Sequence, residues 1–419
     1  MRGSDVTVTP ARPALPVGFD PTDPELNEQR IPHDEFLELR QTAPVFWVEQ
    51  PEESRAGMEG GTGYWAVSKH ADISAVSKNS KAFVTSENTA IIRFGPDMTR
   101  EQVELQRVML INLDPPGHTA MRGIISRGFT PRSIGALHDT LVERAQTIVR
   151  DALERGEGDF VQEVAAELPL QAIADLLGVP QEDRRKIFDW SNQMLAYDDP
   201  DYDVDPEAAS IEILSYFMAL AEERKADPQD DIVTKLVTPG EDGSVLTADE
   251  FGYFTIMLAV AGNETTRNAI THGMKAFFDH PDQWELFKKE RPKSATDEII
   301  RWATPVTVFQ RTATEDTEVG GVSIEKGQRV GIFYASGNHD TDVFENPEVF
   351  DIMRDPNPHL AFGGHGAHYC IGANLARLEI DIMFNTIADM MPDIAPAGEP
   401  ARLRSGWING IKSMPVKYA

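Results

Sequence analysis

The 419-residue chain has a single cysteine, Cys370, and therefore cannot form an intrachain disulfide. Disulfides are rare in reducing compartments, and the scarcity of cysteine is consistent with a cytoplasmic protein. Basic residues are also few, because 39 lysines and arginines stand against 68 aspartates and glutamates, which leaves a net charge of −29. A chain this acidic is a poor partner for nucleic acid or for an anionic membrane.

Long hydrophobic runs are missing as well. The most apolar stretch, residues 251–262, is shorter than the roughly 20 residues that a helical bilayer span needs, and the N-terminus has no apolar signal-peptide core. We therefore expect no integral membrane anchor. Residues 1–16 are polar and rich in proline, which predicts a mobile tail, and residues 1–4 resemble an expression leader. No linker divides the remainder, so residues 17–419 are predicted to form a single domain.

Helical patterns dominate the chain, and most of the predicted strands are short. The longest predicted helix runs from Thr247, which forms a capping box with Glu250, to His280, just before Pro281. At 1.5 Å per residue it is roughly 50 Å long. Further helices are predicted over 117–127, 134–156, 160–177, 181–196, 206–226, 283–290 and 295–302, and strands over 45–49, 64–68, 306–312, 318–333 and 406–418. This pattern predicts a mainly α protein with small segregated β-sheets, an α+β architecture.

The only cysteine lies in a glycine-rich loop, residues 362–372, that leads into a helix starting near Ile371. A helix N-terminus presents free backbone N–H groups and a positive dipole end, which favours thiolate over thiol. The position suits a metal ligand, a nucleophile or a small buried apolar side chain. Zinc is a further alternative, because His359, His365 and His368 lie nearby in the sequence. The loop alone does not decide among these alternatives.

Two distant motifs narrow the choice. The long helix contains Ala261-Gly262-Asn263-Glu264-Thr265, and a glycine inside a helix costs about 1 kcal/mol relative to alanine. The glycine would let a large flat group lie against the backbone, and Thr265 can bond to a carbonyl one turn earlier and open the helix locally. Further along, Glu298 and Arg301 share a helix face and can pair. Taken separately, these motifs are also compatible with a tolerated core glycine and an ordinary surface ion pair.

Together and in this order, the three motifs resemble those of the cytochrome P450 superfamily, the haem-thiolate monooxygenases. That superfamily has an E-x-x-R helix, an (A/G)-G-x-(D/E)-T long helix and a glycine-rich cysteine loop with an arginine or histidine two residues before the cysteine. The chain departs at one position, because the aromatic residue usual seven positions before the cysteine is Gly363 here, and Phe362 lies one residue further away. The resemblance covers residues 17–419 and implies the cytochrome P450 fold, with a long central helix over the haem, and a monomer.

The resemblance implies haem b as the cofactor, with Cys370 as the axial thiolate and metal ligand. It also implies that cationic side chains hold the two haem propionates. The residues implied to bind the cofactor are His118, Arg122, Ala261, Gly262, Arg311, Gly364, His368, Cys370 and Gly372. Glu298, Arg301 and Arg354 are implied to form a structural cluster that braces the cysteine side.

The implied reaction inserts one oxygen atom of O₂ into a substrate and consumes two external electrons. Thr265 is implied to organise water at the reacting oxygen, and Glu264 to conduct protons from bulk solvent. The chain has no P-loop and no credible dinucleotide fingerprint. The resemblance therefore implies that a ferredoxin and an NAD(P)H-dependent ferredoxin reductase supply the electrons. Arg122, Arg127 and Arg132 are candidates for a basic docking patch.

Longer stretches resemble one bacterial family within the superfamily, the steroid C26/C27-monooxygenases that oxidise the terminal methyl of the cholesterol side chain. These stretches are 260–268, 366–377 and 403–407. The implied substrate is cholesterol or cholest-4-en-3-one, and the extent of onward oxidation to aldehyde and acid stays open. The residues implied to line an apolar channel above the haem are Ile91, Phe94, Leu105, Val260, Ala261, Val306, Phe309 and Trp407. The alternatives are a hydroxylase of another bulky lipid or polyketide and a non-catalytic haem- or zinc-binding protein.

Overall fold

Helices account for most of the structure, a computed structural model that describes residues 15–202, 205–240 and 243–419. The predicted leader and most of the predicted N-terminal tail lie outside the described residues. The helices are α1 (Pro24–Gln29), α2 (His33–Thr42), α3 (His70–Lys78), α4 (Arg100–Leu105), α5 (Gly117–Ile125), α6 (Pro131–Ala136), α7 (His138–Arg155), α8 (Glu167–Leu177), α9 (Arg184–Leu195), α10 (Pro206–Ala226), α11 (Ile232–Val237), α12 (Ala248–Asp279), α13 (Pro281–Glu290), α14 (Ser294–Ala303), α15 (Tyr334–Gly337) and α16 (Ala373–Met390). Short 3₁₀ segments cover Glu52–Ser54, Gln106–Val108, Leu110–Asn112 and Gln181–Asp183, and a π-helical turn covers Val161–Ala165.

The strands are short and fall into separate small sheets. They are β1 (Val45–Glu49), β2 (Gly63–Val67), β3 (Phe83–Val84), β4 (Glu157–Asp159), β5 (Val308–Ala313), β6 (Thr317–Val319), β7 (Val322–Ile324), β8 (Arg329–Phe333), β9 (Ala395–Pro396), β10 (Ala401–Arg402), β11 (Ile411–Ser413) and β12 (Pro415–Lys417). One sheet has the order β1-β2-β8-β5-β3, in which β2 and β8 are parallel and the other neighbours antiparallel. The smaller sheets are β4-β12-β9, β6-β7 and β10-β11. The predicted mainly α architecture with segregated sheets is confirmed.

One predicted strand is divided in the structure. The stretch 318–333 contains parts of β6, all of β7 and all of β8 rather than one strand. Gly320 and Gly321 turn the chain between β6 and β7 with φ angles of 56° and 82°, which residues with a side chain rarely adopt. The prediction of strand in this stretch is therefore confirmed, but as three short strands.

The helix α12 is the central element of the fold. Its capping box is present, because Glu250 N donates to Thr247 Oγ1 at 3.2 Å and Thr247 N donates to Glu250 Oε2 at 2.8 Å. Its 32 residues give a length of about 48 Å, and it packs against α8, α9, α10, α14 and α16. Within the described ranges, none of the helices combines the length and the hydrophobicity that a bilayer span requires.

The middle of α12 and three other elements converge at one place in the fold. The loop that precedes α16 lies on one side, and the start of α5 and the strand β5 lie along the edge. The side chains of all four meet at one internal cavity, so the fold brings together residues that are up to about 250 positions apart in the sequence, such as His118 and His368.

Candidate active site

The internal cavity encloses about 1430 Å³ of space that atoms do not fill, including its opening to solvent. It brings together most of the residues implied for cofactor binding, since His118, Arg122, Ala261, Gly262, Arg311, His368, Cys370 and Gly372 all line it. Most of the remaining lining is apolar. A cavity with one thiol, a cationic edge and apolar walls suits a large, flat, anionic cofactor and an apolar substrate.

The cysteine loop is held by its backbone and by close packing on α3. Cys370 N donates to the carbonyl of Phe362 at 2.9 Å, which closes the loop. Gly364 has a φ of 42°, and a Cβ there would lie 2.2 Å from Ser77 Oγ of α3. The implied cofactor role of Gly364 is therefore corrected: this glycine allows the loop to approach α3 and faces Ser77 rather than the cavity.

The thiol of Cys370 is exposed, but only to the cavity, which lies inside the protein. This burial raises the pKa of Cys370, while a hydrogen bond from the Gly372 backbone and the charges of Arg122 and Arg377 oppose the rise. In the protein without metal, burial therefore favours the thiol, contrary to the preference for thiolate that the helix N-terminus predicts. A coordinated metal deprotonates such a thiol outright.

The cationic edge of the cavity consists of His118, Arg122, Arg311 and His368. The rings of His118 and His368 lie 4.5 Å apart, and Nε2 of each is buried without a hydrogen-bond partner. Arg122 Nη2 donates to the carbonyl of Tyr369 at 2.6 Å, and Arg311 Nη1 to the carbonyl of Gln310 at 2.7 Å. Backbone carbonyls do not neutralise these guanidinium groups, so the edge keeps its positive charge.

The same arrangement controls protonation of the two imidazoles. Burial, followed by the charges of Arg311, His118 and Arg122, lowers the pKa of His368 to about 2. Burial also lowers the pKa of His118, with Arg122 as the next cause. Neutral imidazoles can donate one N–H each, and buried donors of this kind call for acceptors such as carboxylates.

The helix α12 opens towards the cavity at Ala261, Gly262 and Thr265, which all line it. Thr265 Oγ1 donates to the carbonyl of Ala261 at 2.8 Å, as the sequence predicts. A Cβ at Gly262 would lie 2.5 Å from Ile173 Cδ1 of α8, so this glycine makes room for Ile173 as well as lining the cavity.

Glu264 does not point into the cavity with Thr265. Its side chain is 3% exposed and forms a short ion pair with Arg267, and Asn268 Nδ2 donates to Glu264 Oε1 at 2.8 Å. Arg267 in turn donates to Asn192 Oδ1 of α9 at 3.0 Å. Arg267 thus links the buried carboxylate to α9 at Asn192.

The pair Glu298–Arg301 is buried in the protein, not a surface ion pair. Both side chains are 0% exposed, and two bonds of 2.8 Å join them. Arg354 Nε donates to Glu298 Oε2 at 3.1 Å, and Asn357 Nδ2 to the same oxygen at 3.0 Å. Arg301 also donates to backbone carbonyls of residues 338 and 347. The cluster therefore fastens the segment 338–357 to α14, next to the cysteine loop.

Phe362 is held in place although it is shifted by one position. The guanidinium of Arg377 lies 4.6 Å from the centre of its ring, and Arg377 Nε donates to Asp297 Oδ1 at 2.7 Å. His359 Nε2 lies 3.2 Å from the same oxygen.

The zinc alternative finds no matching cluster of side chains. In the described parts of the chain, no group of three or more His, Cys, Asp or Glu side chains is arranged to hold a metal.

The residues implied to line a substrate channel divide into separate groups. Ala261, Val306 and Phe309 line the cavity. Trp407 lies behind Phe309, with the ring centres 6.2 Å apart. Leu105 is 61% exposed at the end of α4, and its implied lining role is corrected because this single-turn helix presents it to solvent.

The other three implied channel residues are packed in the core next to the cavity. Ile91 and Val260 pack against the same apolar cluster as Trp407. Phe94 belongs to a separate buried cluster with Met58 and Val103. Ile91 and Val260 are partly buried there, whereas Phe94 is buried.

Comparisons with known proteins agree with this geometry. The family model for cytochrome P450 matches residues 293–388. The chain is 63% identical over 408 residues to a steroid C26-monooxygenase of Rhodococcus jostii, covering 97% of this chain and 86% of the relative. The chain belongs to the cytochrome P450 family. It is also 41% identical over 397 residues to a methyl-branched lipid omega-hydroxylase of Mycobacterium tuberculosis, covering 92% of this chain and 90% of the relative.

A solved structure supports the same assignment. A cytochrome P450 of Mycobacterium marinum in complex with pseudoionone superposes with a TM-score of 0.85 and 37% identity, covering 92% of this chain and 94% of the other. This cytochrome P450 is therefore a monooxygenase, and haem b is its cofactor. The residues present fit the haem, because the unpartnered imidazole nitrogens and the two guanidinium groups offer donors for two propionates.

When bound, the haem supplies the redox chemistry and the activation of O₂. The cysteine loop and the cationic edge are the parts of the chain that would hold the haem, and the apolar walls would exclude water. Thr265 and the groove of α12 place a hydroxyl group at the cavity, where it can organise water.

Some lining residues were not identified from the sequence. Phe254 and Met257 lie seven and four residues before Ala261, so helical periodicity along α12 held the signal for both. Tyr334, the first residue of α15, has no such signal. Glu379 of α16 lines the cavity and is 1% exposed, and burial raises its pKa well above the usual range.

Proposed function

We propose that this cytochrome P450 hydroxylates the terminal methyl, C26/C27, of the side chain of cholesterol or cholest-4-en-3-one. The observation that carries the proposal is the 63% identity over 97% of the chain to a protein named steroid C26-monooxygenase. Onward oxidation of the alcohol to aldehyde and acid uses the same site. We also propose that residues 17–419 act as one domain, since α12 packs against both the helical part and the elements of the cysteine side.

The apolar lining supports a substrate that offers little but hydrocarbon. Phe254, Met257, Val306 and Phe309 form part of this lining. Burial of apolar surface contributes roughly 25 cal/mol per Å², so a sterol gains most of its binding free energy from such walls. The proposed orientation places the side-chain methyl near the thiolate-bound iron. Ile91, Phe94, Val260 and Trp407 are proposed to contact the substrate after it displaces their packing.

A ligand panel tests the substrate class. Cholesterol, cholest-4-en-3-one, methyl-branched fatty acids and a macrolide polyketide are titrated into the haem-loaded protein, and the spin-state shift in the optical spectrum is recorded. We expect the two sterols to produce the largest shift at the lowest concentration. A spin-state shift with branched fatty acids alone would contradict the sterol proposal. It would favour the second candidate function, a methyl-branched lipid omega-hydroxylase, which the 41% identical relative supports.

We further propose that Cys370 is the axial ligand and that His118, Arg122, Arg311 and His368 hold the propionates. This assignment rests on their position around one cavity and on the unpartnered nitrogen atoms of the two histidines. Ala261, Gly262 and Gly372 are proposed to border the cofactor. Glu298, Arg301 and Arg354 are proposed to brace the cysteine side without touching the cofactor.

Thr265 is proposed to organise the water that delivers protons, and Glu264 to supply those protons. For Thr265→Ala we expect unchanged haem content and sterol binding, but product formed per NAD(P)H at least about tenfold lower, since positioned proton transfer contributes roughly 10²–10⁴-fold to rates. The lost electrons are expected as hydrogen peroxide. Product and peroxide yields measured in the same reaction check this prediction.

Thr271→Val is the matched control for Thr265→Ala. Thr271 Oγ1 donates to the carbonyl one turn earlier at 2.8 Å, as Thr265 does, but Thr271 is 0% exposed and faces the protein core. Its loss is expected to leave the product yield unchanged. Equal yields in Thr265→Ala and the parent protein would remove Thr265 from the proposed proton path.

Electrons are proposed to come from a ferredoxin and an NAD(P)H-dependent ferredoxin reductase in the cytoplasm, with the enzyme acting as a monomer. The structure changes the candidate docking patch, because Arg122 is half-buried at the cavity and Arg127 donates to the carbonyls of Ile124 and Ser244. Arg132 of α6 is exposed.

We expect Arg132→Glu to raise the ferredoxin concentration for half-maximal turnover and to reduce the salt dependence of that concentration, with the maximal rate unchanged. Unchanged ferredoxin dependence would exclude Arg132 from the docking surface.

A further inference from the structure

Asn263, between Gly262 and Glu264 on α12, is a buried amide without protein partners. Its side chain is 1% exposed, and among the residues that the structure describes neither Oδ1 nor Nδ2 has a hydrogen-bond partner. Arg267, one turn later, is 6% exposed, and its Nε also lacks a partner. Three unpartnered polar atoms therefore lie within one turn of the central helix.

These atoms lie on the side of α12 that faces away from the cavity. Residues i and i+4 share a helix face, so Asn263 and Arg267 are neighbours. Asn263 is two residues from both Ala261 and Thr265, which places it on the opposite face from these two cavity residues. The guanidinium of Arg267 bonds to Glu264 and to Asn192 of α9, and lies 5.8 Å from the ring of Phe188.

An amide buried in such a position destabilises the fold unless its donor and acceptor form hydrogen bonds. Native proteins satisfy such groups with ordered water that makes two to four hydrogen bonds. Asn263 offers a donor and an acceptor, and Arg267 Nε offers a second donor, which together meet that requirement. Asn192 is only partly buried, so the site extends towards the protein surface.

We propose that Asn263 and Arg267 hold an internal water behind α12 that relays protons from the surface at Asn192 to Glu264. The inference rests on the proposed role of Glu264 as proton donor. Each turnover consumes O₂, two electrons and two protons and yields the alcohol and one water, so the buried Glu264 must regain a proton after each transfer. Asn263 is a positioning residue in this path, because it orients the water rather than touching substrate or cofactor.

The test compares Asn263→Leu with Asn263→Ser in the haem-loaded enzyme. Leucine removes the polar partners, and we expect a several-fold lower product yield per NAD(P)H, more peroxide and a larger solvent deuterium isotope effect. Serine keeps a hydroxyl and leaves room for water, so we expect it to retain most of the yield. Haem content and the sterol spin-state shift are expected to be unchanged in both. Full coupling in Asn263→Leu would overturn the proposal, as would equal coupling losses in both variants.

Two further measurements separate this inference from the role of Glu264. If Glu264→Gln uncouples the reaction but Asn263→Leu does not, the proposed internal water is refuted and the role of Glu264 stands. If Glu264→Gln stays coupled, the role of Glu264 as proton donor is refuted, and the inference fails with it. A high-resolution crystal structure provides a readout independent of activity. We expect density for a water within hydrogen-bond distance of the Asn263 amide and Arg267 Nε, and an amide bonded directly to protein atoms instead would contradict the proposal.

Discussion

Cys370→His is expected to abolish sterol hydroxylation and to leave a folded protein that still binds haem. The thiolate donates electron density to the iron and favours cleavage of the O–O bond, whereas a neutral imidazole does not. The loop also supports the exchange, since it is closed by the backbone bond from residue 370 to Phe362, which the substitution keeps. Product formation should fall to background, and the reduced carbonyl complex should lose the strong red shift of a thiolate-ligated haem.

The single cysteine makes this experiment simple to interpret, because no second thiol in the 419 residues can replace it. Cys370→Ser serves as the companion variant, since it keeps the size of the side chain but offers a poor ligand. We expect weaker retention of haem in Cys370→Ser than in Cys370→His. Turnover of Cys370→His at the parental rate would refute axial ligation by this residue.

Arg301→Ala is expected to cost about 3–5 kcal/mol of the free energy of unfolding, because it leaves the carboxylate of Glu298 buried without its main partner. Both side chains are 0% exposed, so solvent cannot compensate. The loss should include weaker haem retention, since the cluster fastens the segment next to the cysteine loop. Urea unfolding of the haem-loaded protein, followed by both circular dichroism and haem absorbance, measures the effect.

Arg301→Lys and Arg354→Ala are the controls for this prediction. Lysine keeps the charge but cannot make the paired bonds of a guanidinium, so an intermediate loss is expected. Arg354→Ala leaves the Arg301–Glu298 pair intact and should cost less than Arg301→Ala. A loss below about 1 kcal/mol for Arg301→Ala would mean that the pair behaves like an exposed ion pair.

Local sequence signals predicted the central features of this fold well. The limits of α12 follow from a capping box and a proline, and both act within a few residues of the helix end. The grouping of His118, Arg122, Arg311 and His368 came from resemblance, because nothing in their separate sequence neighbourhoods shows that they meet. The structure brings them to one cavity, and the unpartnered histidine nitrogens explain what the edge can bind.

The sequence-based predictions for Cys370, Gly364 and Leu105 were wrong because they took no account of tertiary structure. The dipole argument for a thiolate at Cys370 considered only the helix that follows. In the protein without metal, burial raises the pKa of the Cys370 thiol. Gly364 looks like its neighbours in the loop, and only the packing of Ser77 shows its purpose. Leu105 is apolar, yet it ends a six-residue helix on the surface. None of these outcomes can be read from the local sequence alone.

The most direct test of the central claim is product analysis after turnover of cholest-4-en-3-one under ¹⁸O₂ with a ferredoxin, its reductase and NAD(P)H. The account predicts one ¹⁸O atom in a hydroxyl group at C26 or C27, dependent on Cys370. Hydroxylation of the steroid rings, or oxygen derived from water in the first product, would contradict it.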